Sequence, residues 1–150
     1  MTNTLVLGVG NPILTDDGVG IKIARKIKEG SPELEVIETT EVGINLLDTA
    51  VGYDKLIVID SIKTGQGKPG QVYKLELADL KPAKDFPSSH GISIATALEL
   101  GQRLGYKMPK YIRLYAVEIE DNTTFGENCT DEVEERIPFI TKQIIDKEKL

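Results

Sequence analysis

Asp16 and Asp17 stand side by side in the run Gly8-Val-Gly-Asn-Pro-Ile-Leu-Thr-Asp-Asp-Gly-Val-Gly20, Asp60 closes the apolar run Leu56-Ile-Val-Ile59, and His90, the one histidine of the chain, sits in Ser88-Ser-His-Gly91. Carboxylates and an imidazole form a mixed oxygen and nitrogen donor set that can hold a divalent cation and still leave positions open for a substrate. The same groups serve as acids and bases. Each residue has a plainer reading when taken alone. An Asp pair ahead of a helix is ordinarily a pair of caps, and a lone histidine is ordinarily a surface or core residue. Their joint placement, at strand ends and helix starts that share one sheet edge, argues for a site.

The glycines of the first run also suggest a dinucleotide loop, but the match is partial. Gly8 and Gly10 fit G-x-G-x-x-G, whereas the sixth position is Ile13 and the helix begins only after Asp16-Asp17-Gly18. Two carboxylates at a helix N-terminus repel a phosphate. Glu38, at the end of the second predicted strand where a ribose-binding acid is expected, is the feature that keeps a nucleotide-binding oxidoreductase domain as an alternative.

The elements that must position these residues follow from periodicity. Residues 4–8, 34–38, 55–60 and 111–117 are short apolar runs rich in β-branched or aromatic residues and read as buried strands. Residues 70–77 alternate like a further strand after a glycine-rich turn. Helical stripes appear at Val19, Ile23 and Ile27, at Ile94, Ala97, Leu98 and Gly101, and at Val133, Ile137, Ile140 and Ile144. A shorter helix is predicted over residues 44–51. Thr130 is the expected N-cap of the last helix, and Pro138 is expected to kink it or mark a late start. Residues 81–89, with two prolines, read as a long mobile loop. The alternation predicts an α/β fold: a single three-layer α/β/α domain over residues 1–150, with a mostly parallel twisted sheet of about five strands and helices on both faces. Ligand sites in such sheets lie at the carboxyl ends of the strands.

A chain of 150 residues can bury a self-sufficient core. Its net charge of −6 and the absence of a basic cluster argue against nucleic acid as a partner. No apolar run reaches the length of a membrane span, and a cytoplasmic, soluble protein with no membrane insertion is expected. Cys129 is the only cysteine, which fits a reducing compartment, and it is expected to be incidental to the chemistry. Ser88 or Ser89 as a nucleophile paired with His90 is disfavoured, since neighbours on one loop rarely reach attack geometry. No H-E-x-x-H helix of a zinc protease is present.

The run from Leu5 to Gly20, the strand ending in Asp60, His90, Glu118 and the Gly126-Glu-Asn-Cys-Thr-Asp-Glu-Val133 lead into the last helix together resemble the hydrogenase maturation endopeptidases. The resemblance implies removal of a C-terminal extension from the precursor of a nickel-iron hydrogenase large subunit. It implies a metal site at Asp17, Asp60 and His90, which are then also the catalytic candidates, and nickel supplied by the substrate as the recognition element, with no organic cofactor. Where that family commonly carries an Asp-Gly-Gly-Thr-like turn, this chain reads Glu38-Thr-Thr-Glu-Val-Gly43. Fewer glycines make a bulkier rim, and Glu38 and Gly43 are the expected contacts to the precursor tail. A metal-responsive binding module without catalysis is a further alternative.

Overall fold

Strands that must be buried on both faces need near-continuous apolar sequence, and the central elements have it. The computed structural model describes residues 3–40, 43, 45–76 and 89–150, the side chains of residues 89–93 excepted. In chain order it contains β1 (Thr4–Val9), α1 (Val19–Gly30), β2 (Glu35–Thr39), α2 (Leu46–Ala50), β3 (Lys55–Ile62), β4 (Val72–Glu76), α3 (Ser89–Arg103), β5 (Tyr111–Glu118) and α4 (Asp131–Glu148). The five strands form one sheet in the order β2-β1-β3-β5-β4. All pairs are parallel except β4 with β5, so the predicted α/β architecture with one antiparallel strand is the observed one.

Side-chain alternation sorts the core into two layers. Leu5, Leu7, Leu56, Val58 and Leu114 face α2 and α3, where they meet Leu46, Ile94 and Leu98. Val6, Ile57, Ile59, Tyr115 and Val117 face α1 and α4, where they meet Ile23, Ile27, Val133 and Ile140. Each fully buried aliphatic side chain contributes about 1.5–3 kcal/mol, which fixes the register of the sheet and hence what stands at its edge.

Several boundaries differ from expectation. Strand β3, expected to end at Asp60, continues to Ile62, so Asp60 is paired with Ala116 inside the ladder, because Ser61 and Ile62 keep pairing with Val117 and Glu118. Strand β4 begins at Val72 because Gly70, at φ +92°, belongs to the preceding turn and donates its amide to the Glu118 carbonyl. Helix α2 begins at Leu46; Ile44 and Leu77, the outer limits expected for α2 and β4, lie outside the described residues. Helix α4 starts at Asp131 and runs through Pro138, so no late start occurs. The proline removes one bond to the Glu134 carbonyl, while Val133, Ile137, Ile140 and Ile144 keep the helix seated. The loop expected up to residue 89 lies outside the described residues as far as Ser88, and Ser89 already opens α3.

Candidate functional site

From β1 the chain passes through α1 on one face to β2, then through α2 on the other face to β3. The crossovers leave adjacent strands β1 and β3 in opposite directions, which opens a crevice at their carboxyl ends. Gly8 pairs with Ile59, so the loop after β1 and the residue after Ile59 share that edge. Two glycines make the close approach possible. Gly10 has φ +148°, and a Cβ there would lie 2.0 Å from the Asp17 carbonyl oxygen. At Gly20 a Cβ would lie 2.3 Å from the Ile59 carbonyl oxygen.

The loop ends in a 3-10 turn, Thr15–Gly18. Thr15 takes φ +50°, a costly conformation for a β-branched residue. It is held there by its amide on the Gly126 carbonyl and its hydroxyl on the Thr124 carbonyl. The two aspartates then part. Asp16 is 0% exposed and accepts the amides of Glu120 and Asp121, each at 3.0 Å, and the amide of Thr130 at 2.7 Å. The Thr130 hydroxyl also donates to Asp16, so the residue at the α4 N-cap position makes no side-chain cap bond. Nor does either aspartate cap α1, whose N-cap residue is Gly18. Thr130 thus holds the expected N-cap position of α4 but spends its hydroxyl on Asp16, and the plainer reading of Asp16 and Asp17 as caps of the first helix does not hold.

Asp17 is half-buried and accepts the Asn11 amide at 2.8 Å on Oδ2 and the Ser61 hydroxyl at 3.1 Å on Oδ1. Asp60 is 1% exposed and accepts the Ser61 amide at 2.7 Å on Oδ1. One residue thus bonds both carboxylates at the carboxyl end of β3. His90 lies in the first turn of α3, one turn before Ile94; its side chain is outside the described residues. Among the described residues no three His, Cys, Asp or Glu side chains gather as a metal cluster. The donor set of Asp17 and Asp60 nonetheless suits a divalent cation, since each carboxylate oxygen offers a second lone pair beyond the bond it accepts.

A third buried carboxylate at this edge, Glu118, was read from sequence only as part of the resemblance. It ends β5 and accepts the Thr64 amide at 2.8 Å, the Thr64 hydroxyl and the Tyr73 hydroxyl at 2.9 Å. Burial pushes its pKa up, but these donors, with the Gly65 amide, outweigh burial and hold it below the usual value. Its partners come from a turn some fifty residues away, so no local signal marks it. Cys129 is buried, and desolvation with the nearby Asp16 and Glu134 charges raises its thiol to about 12 against the pull of Lys22. That state is the opposite of an activated nucleophile.

Glu38 is tied to Arg25 by two bonds of 2.9 Å and lines a cleft of about 170 Å³ with Leu7, Ile37, Thr39, Asn45 and Thr49. Gly43 borders this region, its amide donating to Asn45 Oδ1. Glu38, the feature that kept a dinucleotide alternative open, has both carboxylate oxygens engaged by Arg25. Beside the Asp17 turn, the chain pairs Leu14 with Gly126, which sets Ile13 and Phe125 near one another at the rim. Phe125 is 80% exposed.

Residues 5–147 match the family model for hydrogenase maturation protease. The chain is 31% identical over 119 residues to the hydrogenase 2 maturation protease of Escherichia coli K12, covering 75% of this chain and 71% of that protein. It is 28% identical over 139 residues to the hydrogenase expression/formation protein HupD of Thiocapsa roseopersicina, covering 89% of this chain and 62%, less than two thirds, of that relative. In fold it is similar to the hydrogenase maturating endopeptidase HybD from E. coli, with a TM-score of 0.80, 26% identity and coverage of 98% and 92% of the two chains. The [NiFe] hydrogenase maturation protease HybD from Thermococcus kodakarensis has a similar fold, at a TM-score of 0.76, 24% identity and 97% coverage of both chains. Matched along nearly its whole length, the chain belongs to the hydrogenase maturation protease family and is a peptidase.

Proposed function

We propose that this peptidase removes a C-terminal extension from the precursor of a nickel-iron hydrogenase large subunit once nickel has been inserted, and that Asp17, Asp60 and His90 read the substrate's own metal. The observation that carries this reading is that the Asp17 and Asp60 carboxylates both accept bonds from Ser61, beside the switch point between β1 and β3. An oxygen-rich pair at the carboxyl end of the sheet fits a cation delivered by that substrate. The exposed Phe125 and Ile13 beside it fit a macromolecular substrate rather than a small one. Glu38 and Gly43, at the cleft beyond β2, are then the contacts to the tail of the precursor.

Metal held in the precursor supplies a Lewis acid able to polarise a carbonyl or acidify a water. The protein's part is to orient that centre through Asp17, Asp60 and His90 and to offer one of the carboxylates as proton acceptor. Cys129, with its raised pKa, takes no part as nucleophile.

The test is mass spectrometry of a matched large-subunit precursor incubated with the protein, loaded with nickel or free of it. Loss of a defined C-terminal peptide from the loaded sample alone supports both the activity and the checkpoint. Cleavage in both keeps the protease and discards metal reading. Full processing by Asp17→Asn or Asp60→Asn removes these residues from the site.

A further inference from the structure

We propose that Ser61 is a positioning residue that sets the spacing and direction of the Asp17 and Asp60 carboxylates; the inference rests on the reading of that pair as the nickel-facing groups. Ser61 follows Asp60 in β3, so strand alternation turns its side chain to the opposite face of the sheet. On that face the Asp17 turn packs. Its hydroxyl therefore reaches Asp17 Oδ1 while its amide stays with Asp60 Oδ1, and a single rigid strand residue spans both carboxylates.

The two anchors of Asp17 are not equivalent. The Asn11 amide belongs to the same loop as Asp17 and moves with it. The Ser61 hydroxyl belongs to β3, which is paired on both sides, with β1 and with β5. Among the described residues it is the bond that fixes the Asp17 carboxylate relative to the strand carrying Asp60. A carboxylate only accepts, so the serine proton has one direction, and each Asp17 oxygen keeps a lone pair for a cation. The fold itself does not require the hydroxyl: Ser61 is half-buried in a strand whose register is set by its apolar neighbours. Loss of the hydroxyl frees Asp17 to rotate about its own side-chain torsions, and misplacement of a reacting group by about 1 Å is enough to slow a reaction 10²-fold.

Cleavage of nickel-loaded precursor is to be measured for Ser61→Ala, Ser61→Thr and Asp17→Asn, with thermal unfolding and crystal structures of the serine variants. The expected result for Ser61→Ala is a fall in kcat of about ten-fold, the scale of one hydrogen bond to a charged group, with KM within about two-fold. Ser61→Thr, which keeps the hydroxyl, restores the rate. In the alanine structure the Asp17 carboxylate is displaced or split between conformers while Asp60 stays in place, because the amide remains. If Asp17→Asn loses activity while folded Ser61→Ala keeps its kcat, the role of Ser61 is overturned and the functional reading stands. If Asp17→Asn cleaves normally, the reading of the pair as nickel-facing groups fails, and the Ser61 proposal with it. Should the alanine variant not fold, the isosteric pair Ser61→Thr and Ser61→Val decides: equal rates overturn the proposal, and a slow valine variant supports it.

Discussion

Thr130 gives its amide at 2.7 Å and its hydroxyl at 3.0 Å to Asp16 Oδ1, joining the turn before α1 to the start of α4 across 114 positions of sequence. With the amides of Glu120 and Asp121 on Oδ2, one buried carboxylate closes the whole segment between β5 and α4 against the loop that carries Asp17. Asp16→Ala leaves three main-chain donors without their acceptor, and a loss of about 2–4 kcal/mol is expected in urea unfolding. Asp16→Asn keeps the shape but turns one acceptor oxygen into an amide NH2 that faces those donors, and an intermediate loss is expected. Thr130→Val, which removes one donor and leaves the amide, is expected to cost less than Asp16→Ala.

The close approach of α1 to the sheet makes a second prediction. At Gly20 an added Cβ meets the Ile59 carbonyl oxygen at 2.3 Å and the Val9 carbonyl oxygen at 2.8 Å, both backbone atoms that cannot yield. Gly20→Ala is expected to lower stability by about 1–3 kcal/mol through overpacking, and to reduce precursor cleavage because the Asp60 edge must shift. Gly30→Ala, where a Cβ meets nothing within 4 Å, is the control in the same helix and is expected to be neutral or up to about 1 kcal/mol stabilising. Circular dichroism melts of the two variants check both.

The sequence made the strands legible because a parallel strand buried on both faces must be apolar, as Leu56-Ile-Val-Ile59 is; it did not show that β3 carries Asp60 inside the ladder and continues to Ile62. The same logic placed His90 at the start of a helix, since Ile94, Ala97 and Leu98 form the stripe that follows it. What local pattern cannot show is which of two adjacent aspartates turns inward. Asp16 and Asp17 have the same neighbours, and their separation is decided by donors at Glu120, Asp121 and Thr130 for one and at Ser61 for the other. Only the resemblance pointed to Asp17 of the two. The role of Ser61 was hidden for the same reason, as was the Glu118 cluster, whose donors come from Thr64 and Tyr73.

Cys129 should be chemically silent. Its thiol is buried, raised to about 12, and directed at the Thr15 carbonyl at 3.8 Å. At about pH 8 almost none of it is thiolate, the reactive form. The expected result is that iodoacetamide leaves the folded protein unmodified over hours and modifies it quickly in denaturant, as read by intact mass. Cys129→Ala is expected to process precursor at the wild-type rate, with a small loss of stability from the emptied volume. Rapid alkylation of the native protein, or loss of cleavage in a folded Cys129→Ala variant, contradicts this.

Acid stability follows from the carboxylates whose pKa values lie below their ordinary level. Burial raises Glu118, but the Thr64 hydroxyl and amide, the Tyr73 hydroxyl and the Gly65 amide together bring it below its ordinary value of 4.5. Glu148, at the other end of the sheet, is likewise raised by burial and lowered more by the Tyr115 hydroxyl, Lys55 and the Tyr111 hydroxyl. A carboxyl group with a folded pKa below its unfolded one contributes stability that is present above the unfolded value and is lost as pH falls through the folded value. Unfolding free energy should therefore be nearly flat between about pH 7 and 5 on account of these groups and decline below 4.5. Glu118→Gln and Glu148→Gln are each expected to be less stable than wild type near neutrality, with a shallower decline in acid, so that the three curves converge at low pH. Denaturant titrations at several pH values read this directly, and parallel curves for wild type and both variants would show that neither carboxylate carries the linkage.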